Sequence, residues 1–264
     1  MSNVASRPSS LPSAPSRLTH LVAHRGDVHD WPENTLPAFR SALGHGARFL
    51  LIDVQLAADT TPVVIREAQL AATAGVDGYV FDHPGDQLAS LDVSEPGRFG
   101  DRHRGTALPR LADVADLLIE HPELTVFCDL KPESLARYGS EVATSRILEV
   151  MRPVRGQCIF VSADVHVTHL ARTRSGCQVG WLLNAYDEHA RLKYEAVKPE
   201  FVLCERRLLP ADGRRFWRGP WSWVILGVDD VEAAAALAER GADFIATSAL
   251  GPMAEALRAR TKPL

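Results

Sequence analysis

Nine short apolar runs punctuate this chain, at residues 21–24, 49–56, 63–65, 125–130, 158–161, 179–183, 201–203, 223–227 and 244–247. That alternation limits the possible folds more than any other feature of the sequence. Most runs are too short and too continuously apolar to be half-exposed antiparallel strands, and they read as parallel strands buried on both faces. Helical patterning fills several of the gaps, at roughly 34–44, at 111–120 and at 230–240. The last of these has Asp229 or Asp230 as its N-cap, an Ala-rich body and Gly241 just past its end. Repeated strand–helix units over a chain of 264 residues predict an α/β fold, a TIM-type (β/α)8 barrel.

A barrel needs eight strands, so one run must be something else. Residues 63–65 follow Leu56 too closely for a parallel crossover, and Asp59 and Pro62 suit a turn between them. Residues 49–65 are therefore read as one barrel strand with a short returning segment. The stretch at about 67–107, with Gly75, Gly78, Gly85, Gly97 and Gly100, reads as a small insertion on the C-terminal, active-site face. Residues 18–264 are expected to form a single barrel domain. Residues 1–17, rich in Ser and Pro without a continuous apolar stretch, are expected to be a disordered tail.

Composition narrows the functional classes. Hydrophobic residues make up 46% of the chain, ample for a core, and the net charge is −4. That charge argues against a protein held to nucleic acid by bulk positive potential. No apolar run approaches the ~20 residues of a membrane span, so stable membrane insertion is not expected. Cys128, Cys158, Cys177 and Cys204 show no C-x-x-C pairing and read as buried reduced thiols, which fits a cytoplasmic protein.

The densest polar cluster at a strand end is His24-Arg25-Gly26, followed five residues later by Pro32-Glu33-Asn34-Thr35. The C-terminal end of a first parallel strand is where barrel enzymes keep reactive groups. Taken by itself the cluster also fits a strand end and a helix start. Asp53 and Asp129 each sit inside an apolar run, where a carboxylate needs a cation or strong donors. Two such carboxylates at one mouth could hold Mg²⁺ or Ca²⁺. Equally, Asp129 could pair with Lys131, and Asp53 with Arg25 or Arg66. The stretch Arg214-Arg215-Phe216-Trp217-Arg218, with Trp221 and Trp223, reads as a loop whose aromatics pack underneath while its arginines face water.

H-R-G, five residues, P-E-N-T, then Ala38-Phe39 and Asp53-Val54-Gln55-Leu56 resemble the glycerophosphodiester phosphodiesterase family. The resemblance continues through Pro62-Val63-Val64-Ile65, Leu108-Pro109-Arg110-Leu111, Asp129-Leu130-Lys131 and the segment from Gly241 to Thr247, covering about residues 21–252. It implies a TIM-type barrel and metal-assisted cleavage of a small-molecule phosphodiester to glycerol 3-phosphate and an alcohol. His24 matches the first of two acid/base histidines. Asp53 and Asp129 match carboxylates that hold a divalent cation, Mg²⁺ or Ca²⁺. Arg25 and Lys131 match residues beside the phosphate, and Glu33 and Asn34 line the same mouth.

Five residues depart from the family pattern. Leu51 stands where the first metal carboxylate belongs, and Arg66-Glu67 replaces His-Asp, removing the second acid/base histidine. Leu226 occupies a usual Trp position, and Ser248 replaces the Asp of a T-D ending. Arg66 cannot exchange protons near neutral pH but can bind a phosphate oxygen pair. His29, His83 and His103 lie on the expected face and are candidates to replace the missing histidine. Two readings follow. One is a phosphodiesterase impaired or altered by these losses. The other is a non-catalytic barrel, a possible pseudoenzyme without a cofactor, that binds a phosphate or other anion through Arg25, Arg66 and Lys131.

Overall fold

A computed structural model describes residues 20–261; the tail expected at 1–17 lies outside them. β1 (His20–His24), α1 (Leu36–Gly44), β2 (Phe49–Leu56) and a short β3 (Pro62–Val64) come first. Three four-residue helices follow, α2 (Ala71–Ala74), α3 (Gly85–Leu88) and α4 (Pro96–Phe99), and then α5 (Leu111–Glu120). β4 (Thr125–Leu130), α6 (Pro132–Met151), β5 (Cys158–Ser162), α7 (Val165–Ser175), β6 (Gln178–Leu182), α8 (Glu188–Val197) and β7 (Phe201–Glu205) alternate strand with helix. The chain ends in β8 (Ser222–Leu226), α9 (Val231–Arg240), β9 (Phe244–Thr247) and α10 (Leu250–Thr261).

Eight parallel strands close in the order β1-β9-β8-β7-β6-β5-β4-β2, with β1 and β2 completing the ring through Ala23↔Leu50 and His24↔Leu51. This is the expected (β/α)8 barrel. The returning segment is real: β3 runs antiparallel to the upper half of β2, with Val54 opposite Val64. The insertion has a small core of its own, in which Leu70, Val80, Leu88, Val93 and Leu108 pack on Val63 and Ile65.

Strand parity separates two environments. On β2, Leu50, Ile52 and Val54 face the helices, while Leu51 belongs to the barrel interior together with Val22, Phe127, Val161, Leu203, Val224 and Leu226. Phe49, Phe127, Phe201 and Phe244 come from four different strands and pack edge to face, with ring centroids 5.0 Å apart for Phe49–Phe244 and 5.1 Å for Phe127–Phe201. This plug fills the lower interior. The same inward-facing rows continue upward into polar residues, so the polar groups collect at the C-terminal end of the strands.

β7 and β8 are joined without an α-helix. A 3-10 turn (Arg206–Leu208) leads into the basic, aromatic loop instead. Phe216 and Trp223 are buried with Trp181 against the outer face of the barrel, and Trp223 Nε1 donates to the Trp217 carbonyl at 2.9 Å. Tyr186 stacks on Trp217 with centroids 4.1 Å apart. Arg214, Arg215 and Arg218 are exposed. The aromatics thus cover a surface that a helix covers elsewhere in the ring. All four cysteines are free and buried, as their apolar context predicts. No helix among the described residues is long and apolar enough to cross a membrane.

If the loop's aromatics are packing groups, Phe216→Ala should destabilise the fold by about 3–5 kcal/mol, whereas Arg215→Ala should change it by less than about 0.5 kcal/mol. Urea unfolding of the two variants checks this, and equal effects would count against the packing role.

Candidate active site

The mouth is built around Asp53. Two residues above Leu51 on the inward face of β2, it is 1% exposed, and a bare carboxylate there would cost several kcal/mol. Three side chains meet it. Arg25 Nε donates to Oδ2 at 2.7 Å, Asn34 Nδ2 donates to the same oxygen at 3.0 Å, and Lys131 Nζ reaches Oδ1 at 3.1 Å. Asn34 Oδ1 in turn accepts from the Asp53 backbone N–H at 3.2 Å, so the two residues hold each other reciprocally. Burial pushes the Asp53 carboxyl up, but Lys131, then Arg25, His24 and Asn34, outweigh it and hold the group well below the usual carboxylate range.

Local backbone geometry delivers these partners. β1 ends at His24, and Arg25 adopts a left-handed conformation (φ 65°) fixed by its N–H to the Leu51 carbonyl at 2.7 Å. Gly26 has φ 92°, and a Cβ there would lie 2.7 Å from the Ala38 Cβ, so only glycine lets the chain pass under α1. Asn34, also left-handed, donates its N–H to the Arg25 carbonyl, and Thr35 caps α1 through Ala38 N–H. The H-R-G and P-E-N-T motifs are therefore the two sides of one loop closed over Asp53. Arg25 also spans to Glu33 at 3.0 Å.

Asp129 sits beside Asp53 in register on β4 and shares Lys131 with it, its Oδ2 lying 3.1 Å from Nζ. Burial pushes Asp129 up to about 6; Lys131 opposes this and the Asp53 charge adds to it. Lys131 itself is held above the usual lysine range: burial works against its charge, but Asp129 and Asp53 prevail. His24, buried at the end of β1, is lowered to about 3 by burial first and by Arg25 next, so its imidazole is neutral near pH 7.

Of the alternatives open from the sequence, the ion pairs are present: Asp53 with Arg25, and Asp129 with Lys131. A divalent cation does not fit this set well. Both oxygens of Asp53 are already bonded, one ammonium spans the two aspartates, and Leu51, 1% exposed, presents methyl groups where the third carboxylate would stand. No group of three His, Cys, Asp or Glu side chains suited to a metal occurs among the described residues.

Arg66 is not drawn into the Asp53 network. Its side chain is 47% exposed and pairs with Glu67 at 3.1 Å. It lines a pocket of about 420 Å³ with Glu33, Glu67, Gln69, Ala72, Thr73 and Glu95, which adjoins the mouth through Glu33. Its charge nevertheless contributes to lowering His24. The three candidate replacement histidines do other things. His29 is exposed beside Asp30, and His83 is half-buried in the insertion. His103 is a buried pin: its ring bonds the Asp30 carbonyl at 2.8 Å and packs on Trp31 with centroids 4.4 Å apart.

Sequence reasoning missed three carboxylates of this face. Glu95 accepts the Glu33 backbone N–H at 2.9 Å, and Arg98 donates to the Val28 carbonyl at 2.7 Å, so the insertion grips the loop that carries Arg25 and Asn34. Asp229 accepts from Thr247 Oγ1 at 2.7 Å and from Ser248 N–H at 2.8 Å, while Asp230 alone caps α9. Glu205 ends β7 in register with Leu226. Asp229 was visible as one of two possible caps, and Glu205 lay two residues past the apolar run of β7. Nothing local marked Glu95.

Residues 24–247 match the Glycerophosphoryl diester phosphodiesterase family. A Glycerophosphodiester phosphodiesterase of Caldanaerobacter subterraneus is 36% identical over 100 residues, covering 38% of this chain and 40% of that protein. One from Bacillus altitudinis is 33% identical over 121 residues, covering 46% and 48%. The matched regions thus span about half or less of these curated relatives. Among solved structures, an Oleispira antarctica phosphodiesterase in complex with the product sn-glycerol-3-phosphate superposes with a TM-score of 0.78 at 20% identity, over 90% of this chain and 96% of that one. A glycerophosphodiester phosphodiesterase from Agrobacterium tumefaciens gives 0.71 at 22%, over 90% and 100%. At these identities the structural likeness establishes the fold.

Because buried Asp53 is the common partner of two half-buried cations, Asp53→Asn should destabilise the protein by about 3 kcal/mol, measured by denaturant unfolding at neutral pH; a change within about 0.5 kcal/mol would show that the network is not stabilising. Asp129 gives a pH signature. Its native carboxyl is raised above the ordinary range, so the folded state binds the extra proton between that range and about 6. Its contribution to stability is present at acidic pH and lost as pH rises through about 6. Comparing unfolding at pH 5 and 7, Asp129→Asn should remove this part of the pH dependence, and an unchanged profile would refute the assignment.

Proposed function

This chain belongs to the glycerophosphoryl diester phosphodiesterase family, and from that premise we propose that its mouth binds the phosphate of a glycerophosphodiester and cleaves it at a reduced rate. The observation that carries the reading is the convergence of His24, Arg25, Asn34, Asp53, Asp129 and Lys131 on one strand-end site. Arg25 and Lys131 supply positive charge for a phosphodiester anion, and Asp53 and Asn34 hold them in place. His24, neutral near pH 7, can take a proton from the hydroxyl that attacks phosphorus, but a ring lowered to about 3 is a weak base, which itself slows the step. The departing alkoxide takes its proton from solvent water in this reading, because position 66 holds no proton donor. Arg66 stands where the family has a titratable group and cannot supply one near neutral pH. Loss of one proton-transfer group costs ~10²–10⁴ in rate.

The family resemblance implies a divalent cation, but Leu51 and the ammonium of Lys131 leave its donor set incomplete. The fixed cations Lys131 and Arg25 take over neutralisation of the phosphate charge in this reading. The bridging position of Lys131 also favours the second reading, an anion-binding barrel without turnover. Glycerol 3-phosphate binding in the absence of metal, weakened by Arg66→Ala, together with undetectable hydrolysis would select that second reading.

The double substitution Leu51→Glu with Arg66→His should restore metal-dependent hydrolysis of glycerophosphocholine, raising the rate by ~10²-fold or more, and His24→Ala should abolish it. Steady-state assays with and without Mg²⁺ or Ca²⁺ check this. A parent protein already turning over at ~1–10³ s⁻¹, with no gain in the double variant, would overturn the account of these departures.

A further inference from the structure

The mouth has a second polar wall, opposite the first. In the ring order β7 is four strands from β2 by either route, so Glu205 at the end of β7 stands across the barrel from Asp53. Its side of the strand is set by register. Leu203 pairs with Val224 and Glu205 with Leu226, and Leu203, Val224 and Leu226 are all buried in the barrel interior. Glu205 is the next inward-facing position above Leu203, half-buried at the rim. Gly227, which adopts φ 76°, lies beside the carboxylate: a Cβ there would sit in ordinary van der Waals contact with Glu205 Oε2, 3.6 Å away, which places the carboxylate over the end of β8.

The carboxylates of this face differ in one respect. Asp53 and Asp129 are bonded by Lys131, Glu33 by Arg25, Glu95 by Arg98, and Asp229 by Thr247 and Ser248. Among the described residues, no hydrogen bond or ion pair engages the side chain of Glu205. A half-buried carboxylate that no protein donor engages leaves both oxygens open to donors that arrive from outside.

We propose that Glu205 determines which diesters this site accepts, by taking hydrogen bonds from donor groups of the ligand (hydroxyls or a primary ammonium) while the phosphate rests on the Arg25–Lys131 side. The inference rests on the phosphodiester reading of the mouth and adds a requirement to it: one end of the ligand must donate hydrogen bonds. The two walls then sort the ligand by charge, cations facing the phosphate and an anion facing the alcohol. A ligand carrying a second anionic group at its far end is repelled. The donor can come from either end of a glycerophosphodiester, from the glycerol hydroxyls or from the other alcohol, and a ligand series separates the two.

The test is calorimetric binding of glycerophosphoethanolamine, glycerophosphoglycerol and glycerophosphocholine to the intact protein and to Glu205→Gln, which keeps size and shape while removing the charge. Binding to the variant should weaken by about 10-fold or more, the loss of a charge-assisted hydrogen bond. Equal weakening for all three diesters assigns Glu205 to the glycerol end that they share. Greater weakening for the ethanolamine and glycerol diesters than for the choline diester assigns it to the other alcohol, since the choline group feels the charge of Glu205 but has no N–H to donate. Affinities unchanged in Glu205→Gln overturn the role of Glu205 and leave the phosphodiester reading standing. A parent protein that binds none of the three diesters overturns both.

Discussion

A carboxylate inside an apolar strand has to be neutralised or hydrogen-bonded, and Asp53 imposes that condition on everything near it. Its ionised form survives burial because a guanidinium, an amide and an ammonium converge on its two oxygens. Each of those partners comes from a different part of the chain. Arg25 needs the left-handed turn at the end of β1, Asn34 needs the entry to α1, and Lys131 needs the top of β4. The loop motifs that look like separate signatures are thus different contributions to one electrostatic requirement. Breaking any of them removes one of the three side chains that compensate a buried charge.

The barrel supplies the direction in which that requirement is met. Inward-facing positions alternate along every strand, and the four-phenylalanine plug fills the lower interior. Polar side chains on the same inward rows can only reach solvent at the upper end. This is why His24, Asp53, Asp129, Lys131 and Glu205 share one rim although they come from four strands and a strand end. Leu51 marks the boundary between the two regimes. It lies in register with both His24 and Phe127, in a layer that has gone apolar where the family pattern has a carboxylate.

The insertion takes part in this arrangement. Glu95, Arg98 and His103 bind backbone atoms of the loop at 27–34, and that loop holds Arg25 and Asn34. His103 is occupied by this work, packed on Trp31 and Phe99, and is not free to act as a proton carrier. His29 pairs with Asp30 and His83 lies half-buried in the insertion, and neither side chain bonds the Asp53 network among the described residues. On the other side of the barrel the β7–β8 connection solves a packing problem with aromatic side chains instead of a helix. Phe216, Trp217 and Trp223 explain that basic stretch without a ligand.

Much of this was legible in the order of residues, because strands buried on both faces and capped helices have local signatures. The runs at Thr125–Leu130 and Phe244–Thr247 and the helix at Leu111–Glu120 have the bounds expected from sequence. The antiparallel return of β3 followed from a connection too short to cross over. Sequence also identified Asp53 and Asp129 as carboxylates needing compensation, since the expense of burying charge depends on the residues around it. It could not decide between a metal ion and neighbouring cations as the compensating charge, because Arg25, Asn34 and Lys131 reach Asp53 across separations of 28, 19 and 78 residues. Nor could it place Glu205 across the ring from Asp53, or find Glu95, whose partner is a backbone N–H 62 residues away. Patterning fixes which way a side chain points along its own strand; only closure of the ring determines what it meets.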